Sequence, residues 1–376
     1  MSSYGGFGGF GGFGGFGGFG GFGGFGGFGG FGSQGGFGGN GGFGGPDSGV
    51  TSQALSLNRN AIVGPFEGPV ITPPIPAFND PNNLKLWADG PRMAACFSEL
   101  VEGLQYSAHK GKAGLHFVEV TKKGCKQRTL LELDAPGIDL LKKQMELVAA
   151  YADLRGDRGA EILSQMGLPV PFWAAIIGIL DHKQKKTLQL LGLAFALANH
   201  VEMRFKQIFA VVRPVELSPQ IQPMIPTPGH GAYPSGHATE AFIAATLLDA
   251  LLRAARPSAG HKKGNESRQV QLQRQAYRIA VNRTVAGMHY PVDSAAGRVL
   301  GTLLGEFMIG RSCGSNLRER EFSGSTYIGP GGSARDFDLQ DSINNGEAGR
   351  QVGPAFGLPT GPLMAWLWDE ALKEWQ

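Results

Sequence analysis

The chain has 376 residues, a formal net charge of +3 and 61 glycines. So small and scattered a charge argues against nucleic acid as a partner, and no uninterrupted apolar run is long enough for a membrane span. Twenty-eight of the glycines and 11 of the 24 phenylalanines fall within residues 1–49, where no charged residue precedes Asp47; the composition therefore averages two unlike segments.

The first segment is repetitive. From Phe7 to Phe31 an aromatic recurs every third residue in the unit Gly-Gly-Phe, and Phe37 and Phe43 extend the pattern. Collagen is excluded, because Gly fills two positions in three and the first proline is Pro46. A secretory signal is excluded by the lack of a basic region followed by a continuous apolar one. Ordering so Gly-rich a chain costs too much backbone entropy, so residues 1–49 are expected to form a disordered tail. Its evenly spaced Phe side chains suit weak self-association or docking to a partner; a neutral flexible extension is the plainer alternative. Residues 50–82 carry Pro65, Pro69, Pro73, Pro74, Pro76 and Pro81 and are expected to be an extended arm.

Residues 83–376 are expected to form one helical catalytic domain. Ile138, Leu141, Met145, Val148 and Ala152 step by three and four behind Pro136-Gly137, which predicts a helix. Further helices are predicted over 183–209, 238–256, 266–286, 291–310 and 358–375, with a polar loop at 257–265. Residues 115–121 suggest a short strand or hairpin, and the chain beyond Gly310 is loop-rich until the final helix. The fold class expected is all-α, a helix bundle. Cys96, Cys125 and Cys313 are widely spaced and odd in number, which with the lack of a signal segment points to a reducing, cytoplasmic setting.

Three segments, at 206–214, 233–237 and 283–293, carry chemistry. In the first, Lys206 and Arg213 lie seven residues apart, about two helical turns, which would put both on one helix face. In the second, Tyr233-Pro-Ser235-Gly236-His237 opens a helix. Ser235 and Gly236 offer a hydroxyl, unobstructed N–H groups and the positive end of the helix dipole, with His237 placed to exchange protons. In the third, Pro291 suits the first position of a helix, so His289 precedes it and Asp293 falls in its first turn. A carboxylate four residues on can hold one imidazole nitrogen and leave the other as nucleophile or metal ligand. With Arg283, the three segments supply three cations, an anion seat and two histidines, a set suited to a tetrahedral oxyanion such as phosphate or vanadate.

The pattern Lys206-x6-Arg213-Pro214, then Pro234-Ser235-Gly236-His237, then Arg283-x5-His289-x3-Asp293 resembles the three-part signature of the vanadium-dependent haloperoxidase and type 2 phosphatidate phosphatase superfamily. Asn282 departs from it where many members have Ser. The resemblance implies an all-α bundle with vanadate at its centre, bound covalently through His289. Lys206, Arg213, Ser235, Gly236 and Arg283 would hold the vanadate oxygens, His237 would manage protons, and Lys206 would polarise bound peroxide. Substrates would be hydrogen peroxide, a halide and a small organic acceptor, in a homo-oligomer. His230, seven residues before His237, resembles the second active-site histidine of the bromoperoxidases and tilts the expectation toward bromide or iodide. A metal-free phosphatase would use the same residues, with His289 attacking phosphorus and His237 protonating the leaving group. A second alternative is a tail-driven self-associating or cargo protein with a superfamily body.

Other candidates fail on pattern. Asp336-x-Asp338-x-Gln340 starts like a calcium loop but has Asp341 where the sharp turn needs Gly. His109, His116, His182, His200 and His261 lack partners at metal-ligand spacing, and the Lys-rich stretch from Lys110 to Lys126 reads as a solvated face. No GxxxxGK phosphate loop is present.

Overall fold

The computed structural model describes residues 48–65, 68, 70, 73–256, 262–338 and 350–376. The expected Gly/Phe tail (up to residue 47), residues 257–261 of the polar loop, and Gln340 and Asp341 of the rejected calcium loop lie outside the described residues.

Helices dominate, but the all-α expectation is wrong: the structure is 59% helical and 15% strand. Strands β1 (Leu104–His109), β2 (Lys112–Thr121) and β3 (Gly124–Asp134) make an antiparallel meander. Strand β4 (Asn316–Ser323) joins β3 in parallel, and β5 (Arg350–Gly357) pairs antiparallel with β4, so the order is β1-β2-β3-β4-β5. The hairpin suspected at 115–121 is therefore part of a larger sheet. Lys110 and Gly111, at φ 48° and 81°, form the tight first turn, whose backbone twist matches that of paired strands. Leu104, Leu115, Phe117, Leu131 and Leu133 point one face of the sheet into the core. The loop-rich reading beyond Gly310 missed β4 because its partner β3 lies far upstream, and strand formation depends on such pairing more than on local sequence.

The helices are α1 (Ser48–Ile62), α2 (Asp89–Val101), α3 (Ile138–Tyr151), α4 (Arg155–Ser164), α5 (Val170–Ile177), α6 (Lys185–Phe209), the short α7 (Pro214–Leu217), α8 (Gly236–Ala255), α9 (Lys262–Val285), α10 (Pro291–Cys313) and α11 (Pro362–Lys373). Those predicted at 138–152, 183–209, 238–256, 266–286, 291–310 and 358–375 are all present, with ends moved by a few residues. Helix α9 starts early enough to absorb the end of the expected polar loop. Helix α1 replaces the first part of the expected extended arm; the prolines begin only at Pro65, so nothing in 48–62 breaks a helix.

Helix α6 is buried all round from Thr187 to Asn199, as its nearly unbroken apolar sequence demands. It packs on α8, which also lies against α9 and α10. The α8–α10 contact is set by glycine. Gly297, Gly301 and Gly305 recur every four residues and so share one face of α10. A Cβ at 297 would come within 2.6 Å of the Ser235 carbonyl oxygen, and one at 305 within 2.7 Å of Thr246 Cβ; at 301 it would overlap the Thr239 carbonyl. The helices thus meet backbone to backbone at 297 and 301 and backbone to side chain at 305, and the Ser235 N–H donates to the Asp293 carbonyl at 3.0 Å, tying the start of α8 to the first turn of α10. Forcing a methyl group into this contact is overpacking. Gly301→Ala is expected to lower the unfolding free energy by about 3 kcal/mol, read as a reduced midpoint in urea at unchanged slope.

Candidate active site

The candidate side chains reach one cavity from six different places in the chain. Lys206 comes from the last turn of α6. Ala210, at φ 47°, then ends that helix, and Arg213 sits in extended conformation before Pro214. The expectation that Lys206 and Arg213 share a helix face is therefore wrong: the helix ends between them, and both still line the same cavity. The Lys206 ammonium donates to the carbonyls of Gly231 (3.4 Å), Ala232 (3.3 Å) and Pro234, which matches its three N–H groups. It fastens the loop that leads into α8.

Arg213 is the hub of the cavity floor. Its Nη1 donates to the Met288 carbonyl at 3.0 Å and to His289 Nε2 at 3.1 Å. Its Nε donates to the His230 carbonyl at 3.2 Å, and Nη2 lies 3.3 Å from His230 Nδ1. Gly287, at φ 78°, makes the turn between α9 and α10 that delivers His289. Asp293 Oδ2 accepts from the Tyr290 N–H at 3.0 Å, capping α10, and lies 3.0 Å from His289 Nδ1. The tautomer follows from the partners. Arg213 can only donate, so His289 Nε2 carries a lone pair and Nδ1 carries the proton given to Asp293. Burial, reinforced by the positive charges of Arg213 and Lys206, holds His289 well below the usual histidine range. Its Nε2 is a neutral imidazole nitrogen at the cavity wall, and its lone pair can serve as nucleophile or ligand once the Arg213 hydrogen bond it accepts is exchanged.

His237 opens α8. Its Nε2 donates to the Gln165 carbonyl at 3.1 Å, which leaves Nδ1 for proton exchange. Burial and then the Arg283 charge hold it too well below the usual histidine range, so it is neutral. Ser235 is fully buried at the N-cap of α8, where its hydroxyl accepts from the Ala238 N–H. Gly236 follows with no room for a side chain, since a Cβ there would come within 2.5 Å of Glu202 Oε1. Arg283, near the end of α9, donates through Nη2 to the Gln165 side chain at 3.1 Å and the Ile162 carbonyl at 3.3 Å. Its Nε and Nη1 are buried and find no hydrogen-bond acceptor among the described residues.

Lys206, Arg213, His230, Gly236, His237, Arg283 and His289 line this cavity together; Met166, Ile225, Pro226, Pro228 and Met288 form an apolar wall. Ser235 and Asp293 are not among the lining residues and stand behind it as cap and buttress. Burial in the core weakens the charge of these cations. Burial pulls Lys206 down, against the attraction of Glu202, and brings Arg283 down to about 10, against the attraction of Glu240. Orphan guanidinium donors beside two further cations are costly unless an acceptor arrives. The donor set fits a tetrahedral oxyanion: fixed N–H groups, a helix N-terminus and one imidazole lone pair.

Residues 187–310 match the PAP2 superfamily. No curated protein matches the chain. The matched segment runs from α6 into α10 and contains every sequence-predicted site residue, from Lys206 to Asp293. PAP2 superfamily members are typically enzymes, phosphatases and haloperoxidases, and both chemistries fit this site. No helix among the described residues is long and apolar enough to cross a membrane.

Two residues escaped the sequence reading. Glu202, fully buried with neither carboxylate oxygen hydrogen-bonded among the described residues, lies one helical turn before Lys206, and that spacing could have flagged it. Gln165, at the end of α4, gives no local signal of this role, because the site groups it meets lie on α8 and α9. Removing the charge from the acceptor that fixes the His289 tautomer, and offering an amide donor in its place, is a direct test of this geometry. Asp293→Asn is expected to weaken orthovanadate or phosphate binding by about 10- to 100-fold, measured by calorimetric titration of the folded variant.

Proposed function

We propose that the chain is a vanadate-dependent haloperoxidase, oxidising bromide or iodide with hydrogen peroxide to hypohalous acid. The observation that carries this reading is the pairing of one unprotonated buried nitrogen, His289 Nε2, with the orphan donors of Arg283 in a single cation-lined cavity. His289 Nε2 would hold vanadium; Arg213, Arg283 and the Gly236 N–H would hold the oxygens with the Lys206 charge beside them; and Ser235, whose N–H is given to the Asp293 carbonyl, would cap the helix behind them. Vanadate bound there supplies a Lewis-acidic centre for activating peroxide. The chain does the rest. Asp293 keeps the Nε2 lone pair directed by holding Nδ1–H. His237, anchored through Nε2, carries protons on Nδ1. The Lys206 charge polarises oxygen at the cavity, and His230, beside Arg213 on the lining, supports the preference for the heavier halides.

The histidine pair also supports a second reading, phosphomonoester hydrolysis. His289 Nε2 would attack phosphorus, the ester oxygen would leave with a proton from His237, and water would release the phosphohistidine. A paired assay separates the two. Purified chain reconstituted with orthovanadate is expected to brominate a phenol indicator only when peroxide and bromide are both present. Hydrolysis of p-nitrophenyl phosphate without vanadate-dependent bromination would assign the phosphatase reaction instead. His289→Ala should reduce either activity by at least about a hundredfold, and retained turnover would overturn the site assignment. His230→Phe should change the ratio of bromide to chloride oxidation; an unchanged ratio would remove His230 from the reaction.

A further inference from the structure

Gln165 lies outside all three sequence motifs and outside the matched segment, yet it touches two of the groups at the cavity. It follows α4, and its main-chain carbonyl is one of the acceptors a helix leaves open at its C-terminus, here filled by His237 Nε2–H at 3.1 Å. The side chain is fully buried. Its Oε1 accepts from Arg283 Nη2 at 3.1 Å and from Asn282 Nδ2 at 3.0 Å, and its Nε2 donates to Glu161 Oε1 at 3.3 Å. Arg283 is therefore held only by neutral acceptors, the Gln165 amide and the Ile162 carbonyl, although a buried arginine ordinarily meets a carboxylate.

We infer that Gln165 is a positioning residue that sets the anion affinity of the cavity: its amide anchors Arg283 through Nη2 and, being uncharged, leaves Nε, Nη1 and the full positive charge for a bound oxyanion. The charged groups around it support this. Glu161 is engaged by Arg278, whose Nε lies 2.8 Å from Oε1, and Arg158 donates to the Asn282 side chain at 3.2 Å. His237 is neutral. Glu240, which faces Arg283 from α8, attracts the guanidinium but takes no hydrogen bond from it, and burial and Glu202 keep its carboxyl well above the usual carboxylate range. The inference rests on the oxyanion site of the proposed function, and not on which reaction follows binding.

Gln165→Glu keeps the size and the acceptor and adds one negative charge against Arg283. In calorimetric titration of the full-length chain with inorganic phosphate and with orthovanadate at pH 8, the variant is expected to bind each at least about tenfold more weakly than wild type. The ratio of variant to wild-type Kd should approach one as the pH falls toward 5, because a protonated carboxyl is again a neutral acceptor. Gln165→Leu, which removes the anchor without adding charge, should bind more weakly by a ratio that does not change with pH. Circular dichroism establishes that each variant is folded, and should the leucine variant fail to fold, the glutamate variant alone decides. Wild-type Kd values for folded Gln165→Glu at pH 8, or a loss independent of pH, overturn the inference. The expected binding pattern without bromination would overturn the proposed reaction while supporting this inference; a wild-type chain that binds neither anion overturns both.

Discussion

The close approach of α8 and α10 is the constraint on which the site depends. Gly297, Gly301 and Gly305 remove the side chains that would hold the two helices apart, and the Ser235 N–H to Asp293 carbonyl bond fixes their starts relative to each other. Those starts are the two halves of the chemistry. One is the Ser235-Gly236-His237 turn that opens α8, and the other is the His289–Asp293 pair. Interiors pack too densely to absorb an extra methyl group without displacing something. A change in the glycine stripe therefore moves the seat for the anion relative to the nitrogen that would attack or ligate it.

The second organising fact is electrostatic. Lys206, Arg213 and Arg283 are all nearly inaccessible to water, a placement that ordinarily demands paired charge. The chain meets it mostly with neutral acceptors: carbonyls for Lys206, carbonyls and imidazole nitrogens for Arg213, an amide and a carbonyl for Arg283. Burial pushes the nearby carboxyls Glu202 and Glu240 upward, so they cancel less of that charge than ordinary carboxylates would. The outcome is a rigid set of donors with unspent positive charge, which is what electrostatic preorganisation toward an oxyanion requires.

Much of the site was legible in the primary structure because its parts are local. A helix-opening Ser-Gly, a histidine with a carboxylate four residues later, and Pro291 at a helix start each report their own backbone geometry. The long helices were legible for the same reason, since α6 is apolar throughout and α3 steps by three and four. The failures came where distant chain decides. Strand β4 forms because β3 offers it an edge, and nothing within 316–323 announces that partner. The seven-residue spacing of Lys206 and Arg213 fits a helix, but the helix stops at Phe209, so the two cations meet by a route that periodicity does not describe.

By itself, then, the sequence determined the chemical inventory: which cations, which histidines, which helix starts, and a Gly/Phe-rich segment set apart from them by composition. Those are properties of short stretches, and short stretches carry their own hydrogen-bonding and dihedral preferences. Tertiary structure alone decided the charge state and direction of that inventory. The lone pair on His289 Nε2 exists because Arg213 donates to it. His237 works through Nδ1 because the end of α4 takes Nε2. The free edge of Arg283 depends on Gln165, an uncharged residue from a helix that no motif includes. Protonation and orientation are set by what surrounds a side chain in space, and that neighbourhood is assembled only when the helices pack.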